Sequence, residues 1–134
     1  MSGLDLVSRP GKLACLAAVS LMALTATSAQ DGPPATILPS YKASPDIYKV
    51  LSENEFFRVI LATWKPGQGD NWHMHEGTLV NYRLTDCKLK PTFPSGKTEI
   101  REQKKGGVGY NPAVTHRVQN VGDNECVLLI VERK

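Results

Sequence analysis

Several resources that organise other proteins are missing from this chain. Three cysteines in 134 residues, Cys15, Cys87 and Cys126, do not make a disulfide scaffold. No apolar run reaches the roughly 20 residues a membrane-spanning helix needs. No helical periodicity longer than two turns appears after residue 30, which argues against a helical bundle. Charge of one sign is missing as well: 16 Lys and Arg stand against 13 Asp and Glu. That balance gives no reason to expect nucleic acid or an anionic membrane as a partner. Histidine is scarce, with only three in the chain.

What is present begins with an export signature. Arg9 and Lys12 precede the apolar run Leu13 to Leu24, and Thr27-Ser28-Ala29 offers small residues for a cut after Ala29. This basic, apolar, small order predicts a secretory signal peptide over residues 1–29, and hence a periplasmic or secreted protein with no membrane attachment after cleavage. Removing that segment takes away Arg9, Lys12 and Asp5, which leaves 14 basic and 12 acidic residues, a net charge of +2. Residues 30–46 carry four prolines and no periodicity, and read as an extended amino-terminal arm.

From residue 47 to 134 the pattern is one of short strands and turns. Phe57, Val59 and Leu61 alternate with Arg58, Ile60 and Ala62. Val80 to Leu84 alternates apolar and polar, which predicts Val80, Tyr82 and Leu84 inside and Asn81 and Arg83 outside. Cys87 to Thr92, a polar edge strand over Lys97 to Glu102, and the continuous apolar run Val127 to Val131 follow, separated by Gly, Pro and Asn turns. Strands at this spacing predict an all-β single domain, an antiparallel sandwich or barrel.

The three histidines fall in two short motifs, Trp72-His73-Met74-His75 and Thr115-His116-Arg117. Residues two apart on a strand share a face, so His73 and His75 can aim both rings at one point. His116 can join them if its strand lies alongside. Imidazole suits iron, zinc, copper and nickel. These three residues are therefore the candidate ligands of one divalent metal.

The residues around them resemble the cupin family. Gly67, five residues, then His73-Met74-His75 is similar to the first cupin motif, and Gly106, five residues, Pro112, then His116 and Asn120 is similar to the second. The ending Asn120 to Asp123 and Val131 to Lys134 is similar to small bacterial cupins that include one named for β-alanine degradation. The resemblance implies an RmlC-like jelly-roll β-barrel with iron, zinc, copper, nickel or manganese held by His73, His75 and His116. This sequence departs from the family pattern in two places. The family's glutamate ligand would fall at Leu79 or Val80, so no carboxylate is available there. The step from Pro112 to His116 is one residue short and lacks a glycine.

A three-imidazole site leaves the ion's charge undiminished, which implies a small-molecule ligand or substrate that is anionic or carbonyl-bearing. The resemblance implies a metal-dependent enzyme of oxygenase or isomerase class, or else a non-catalytic periplasmic module that binds metal or a small ligand. It also implies a homodimer. Tyr82 is the candidate hydrogen-bond donor beside the metal. Asn120 is read as a turn residue bonding to backbone. Cys87 and Cys126, each starting its strand, are expected on antiparallel neighbours and so at opposite ends, more than about 7 Å apart and unable to bridge. Free thiols are the expectation.

Overall fold

In an extended strand successive side chains point to opposite faces, and this alternation is visible through most of the chain. The computed structural model describes residues 32–134. The signal peptide expected at residues 1–29 lies outside the described residues. The strands are β1 (Leu38–Pro39), β2 (Tyr48–Glu53), β3 (Phe57–Trp64), β4 (His73–His75), β5 (Leu79–Arg83), β6 (Cys87–Thr92), β7 (Arg101–Gln103), β8 (Val108–Asn111), β9 (Val114–Asn120) and β10 (Cys126–Arg133). One short helix, α1 (Ser40–Ala43), accompanies them.

The strands form two five-stranded sheets. One has the order β1-β4-β9-β6-β7 and the other β2-β3-β10-β5-β8. Apart from the parallel pair β1–β4, every pairing of named strands is antiparallel. Together the two sheets make a jelly-roll barrel, the all-β single domain expected from the strand spacing.

The core lies between the sheets. Ile60, Ala62 and Trp64 of β3 point inward beside Leu128 and Ile130 of β10 and Leu79 of β5, with Leu89 and Val118 of the other sheet facing them. Burying a side chain such as Ile60, which is fully excluded from solvent, contributes about 1.5–3 kcal/mol. Strand β10 sits at the centre of its sheet. Its burial alternates, however, with one face fully buried and the other half-buried. The polar segment expected near residues 97–102 narrows to β7, which does form a sheet edge. Within the arm expected at residues 30–46, Leu38 and Pro39 pair with His73 and Met74, and Ser40 and Ser44 are buried.

Two expectations are corrected. In β5 the inward face is Leu79, Asn81 and Arg83, whereas Val80, Tyr82 and Leu84 face outward and are exposed. Tyr82 is therefore on the outside of the barrel, and it is not beside the histidines. The alternation was real but its phase was inverted. Val80 pairs with Tyr110 and Tyr82 with Val108 across the outer surface, while the interior accepts polar groups because it encloses a cavity. Gly109, opposite Asn81, makes that possible, since a Cβ there would lie 2.6 Å from Asn81 Oδ1 and 2.8 Å from Arg83 Nη1.

The second correction concerns the cysteines. Cys87 and Cys126 form a disulfide, with their Cα atoms 4.9 Å apart. Strands β6 and β10 are not neighbours in one sheet. They belong to opposite sheets and face each other. Their first residues lie at the same end of the barrel, so the bridge ties the two layers together.

Candidate metal centre

Pairing of β4 with β9 assembles the histidines. His73 and His116 are direct cross-strand partners, and His75 lies opposite Val114. Two-residue spacing puts His73 and His75 on one face, and the register places His116 on the same face. The ring centroids are 5.1 Å apart for His73–His75, 4.7 Å for His73–His116 and 5.5 Å for His75–His116. All three are buried, and one nitrogen from each lies within 4.8 Å of the others. This group could hold a metal ion. Glu76, directly after His75, is exposed and 3.9 Å from Arg58, outside the cluster.

Each ring has a distinct setting. His73 Nδ1 is 2.9 Å from the carbonyl of Asn71. A carbonyl only accepts, so Nδ1 carries the proton and Nε2 keeps its lone pair. The Tyr48 hydroxyl lies 3.3 Å from that Nε2 but donates its proton to Asp70 Oδ2 at 2.7 Å. Asp70 also accepts from Trp64 Nε1 at 3.2 Å and from the Val118 N–H at 2.5 Å. His75 Nδ1 is buried with no hydrogen-bond partner, and the nearest carboxylate oxygen, Glu132 Oε1, is 3.6 Å away. His116 makes no side-chain hydrogen bond among the described residues.

Burial sets the charge states. It lowers His73 to about 4, helped by the neighbouring His75. It lowers His116 to about 2, helped by His73, His75 and Arg101. Both rings are therefore neutral near pH 7, with lone pairs available. Burial raises Asp70 to about 6 against the opposing hydrogen bonds from Tyr48, Val118 and Trp64. Burial and Asp70 together push the Tyr48 hydroxyl well above its ordinary value, so it stays protonated. Burial also disfavours ionisation of Glu132. The His75 ring, the Glu76 N–H and Arg58 outweigh that and hold its carboxyl below the usual range.

Convergent buried imidazoles and a His75 Nδ1 facing a carboxylate suit a borderline divalent cation. Carboxylates behind metal-bound histidines commonly fix ring orientation and raise basicity. Glu132 stands in that position for His75. It is buried, accepts the Glu76 N–H at 2.8 Å, and pairs across strands with Arg58. Glu132→Gln is expected to weaken metal affinity about 10- to 100-fold, measured by chelator competition. Unchanged affinity would separate Glu132 from the site.

Sequence reasoning missed Tyr48, Asp70 and Glu132. Glu132 did leave a signal, because it occupies the inward phase of Cys126, Leu128 and Ile130, where a charge needs a reason. Asn120 is where it was expected, with its side chain donating to Trp64 O and Asn124 O and accepting from the Gly122 N–H. Trp64 is a core residue. Trp72 lies under the Arg117 guanidinium, 5.3 Å from its centroid.

Beside the histidines the barrel contains a partly open cavity of about 60 Å³. His75 and His116 reach its wall, together with Arg83, Arg101 and apolar groups such as Leu89 and Ile130.

The chain matches no protein-family model. Nor does any curated protein match it. Solved structures do. A cupin domain from Bordetella pertussis Tohama I superposes with a TM-score of 0.61 at 25% identity, over 75% of this chain and 99% of that one. An RmlC-like cupin family protein with a double-stranded β-helix fold from Methanocaldococcus jannaschii gives 0.54 at 15% identity, over 65% and 78%. A polyketide cyclase from Streptomyces resistomycificus gives 0.50 at 21% identity, over 64% and 63%. The described residues form a single jelly-roll domain with the cupin fold.

Proposed function

We propose that His73, His75 and His116 hold one divalent transition metal, and that its open coordination positions meet a small molecule inside the barrel. The observation that carries this reading is the convergence of three buried imidazoles on one point beside a cavity. A bound ion there would supply Lewis acidity or, for a redox-active metal, electron transfer. The chain's own residues position and insulate it. Asn71 and Glu132 orient His73 and His75, and Tyr48 and Asp70 close one side of His73. Chemistry of oxygenase or isomerase class on a small molecule fits this arrangement.

A second reading, a non-catalytic module that takes up metal or a small ligand, is favoured by one observation. Among the described residues no Asp or Glu lines the cavity, and Tyr48 is held protonated, so no carboxylate or phenolate there is placed to act as a general base. Export is part of the proposal too. The Cys87–Cys126 bridge supports an oxidising compartment, in keeping with the signal sequence expected at residues 1–29.

Metal analysis of native protein is expected to give close to one divalent ion per chain. Loaded protein would then be screened for turnover of small thiols, diketones and carboxylates. Turnover lost in His75→Ala supports the enzyme, and retained metal without turnover supports the module. Less than about 0.1 ion per chain after loading with every candidate metal is incompatible with a dedicated site.

A further inference from the structure

Arg83 is an expensive residue where it stands. It is 6% exposed, on the inward face of β5, yet among the described residues no carboxylate pairs with it. One guanidinium nitrogen donates to Asn81 Oδ1, and the buried Nε has no hydrogen-bond partner among the described residues. The nearest strong charge is of the same sign. Burial lowers the pKa of Arg83, and the Arg101 charge lowers it further. Buried cations are ordinarily paired, because the solvation they lose must be replaced. A folded chain that keeps two arginines around one cavity, one of them without a counter-ion, has an interior suited to receive an anion.

Geometry places that anion next to the histidines. Arg83 and Arg101 line the same cavity as His75 and His116. The Arg101 charge is felt by both Arg83 and His116. Its own partner, Glu99 at 3.0 Å, is a half-exposed surface residue. Phe93 packs near two of these groups, with its ring 5.9 Å from the Arg101 guanidinium and 6.2 Å from the His116 ring. Asn81, Asn111 and Gln103 add neutral polar groups at the arginine end. Space limits the occupant. At roughly 10–15 Å³ per water, a cavity of 60 Å³ has about four to six water-sized positions.

We propose that the barrel binds a small carboxylate of two or three carbons, its carboxylate on the Arg83 guanidinium with Arg101 alongside, and its other end directed at the three-histidine cluster. This rests on the metal reading only for that other end, since the arginine subsite stands without it. A planar guanidinium takes a carboxylate through two parallel N–H donors, which also fixes the angle at which the rest of the molecule is presented.

Glycolate is a suitable probe, and glycolamide is its neutral counterpart of equal size. Binding would be followed by NMR titration of zinc-loaded and of chelator-treated protein. Glycolate is expected to bind both, glycolamide far more weakly, and the larger dianion glutarate not inside the barrel. Arg83→Gln should weaken glycolate binding about 10- to 100-fold, while zinc content stays as in the parent chain. If Arg83→Gln does not fold, Arg101→Gln, on the half-exposed edge strand β7, should still weaken glycolate several-fold. Equal binding of glycolate and glycolamide, no binding of glycolate, or indifference to both arginine substitutions would overturn the proposal. Glycolate binding that depends on Arg83 in protein that takes up no zinc would sink the metal reading and leave this one standing.

Discussion

Replacing both bridging cysteines, Cys87→Ser with Cys126→Ser, should lower the thermal unfolding midpoint of the domain by about 15–30 °C. The bridge closes a loop with a sequence separation of 39 residues. Chain-entropy reasoning gives about 4 kcal/mol for a loop of that size. A domain near 100 residues shifts by about 4–8 °C per kcal/mol. The position of the bridge argues for the full effect, because it joins β6 in one sheet to β10 in the other. Those sheets otherwise cohere chiefly through side-chain packing across the core. Circular dichroism melts of the parent chain with and without reductant, set beside the double variant, make the comparison. Coincident melts of all three would show that the bridge contributes nothing.

The second large effect is on the ion. His116→Ala should reduce bound metal from about one to below about 0.1 per chain, with the domain still folded. His116 is the one histidine from the carboxyl-terminal motif, and its ring meets both others at 4.7 and 5.5 Å. Without it only a two-imidazole pair on β4 remains, and no carboxylate stands within the cluster to substitute. The ring makes no hydrogen bonds among the described residues, so its loss leaves no partner unsatisfied. Elemental analysis after gel filtration, with circular dichroism as the folding control, decides the matter. Full metal occupancy in a folded His116→Ala protein would remove His116 from the ligand set.

The fold was largely legible because the pattern of strands and turns is local. Strand β6 begins and ends where the sequence placed it, and β10 extends the apolar run by one residue before it and two after. Grouping of the histidines was legible because period-two spacing on β4 is a local fact. The β4–β9 pairing was foreseen only as a possibility, and it is what brings in His116. What escaped was non-local. Whether β6 and β10 are neighbours or face each other depends on sheet order, which the sequence does not spell out, and the cysteines were misjudged on that point. The β5 phase failed for a different reason. Apolar residues were assumed to point inward, but a barrel with a polar cavity reverses that rule, and Tyr82 went outside while Arg83 went in. Tyr48 reaches His73 from a distant strand that nothing in the histidine motif announces. Asp70, by contrast, lies three residues before His73, inside the motif, and was overlooked because its role depends on the folded contacts with Tyr48, Trp64 and Val118.

The short parallel pairing of Leu38–Pro39 with β4 has a consequence of its own. Strand β4 would otherwise be the rim of its sheet, with one row of backbone donors and acceptors open to any extended chain. Proline at position 39, which has no N–H to offer, now forms that rim instead and makes a poor template for further strands. The strand that carries two of the three histidines is thus sealed against strand-to-strand association with other molecules.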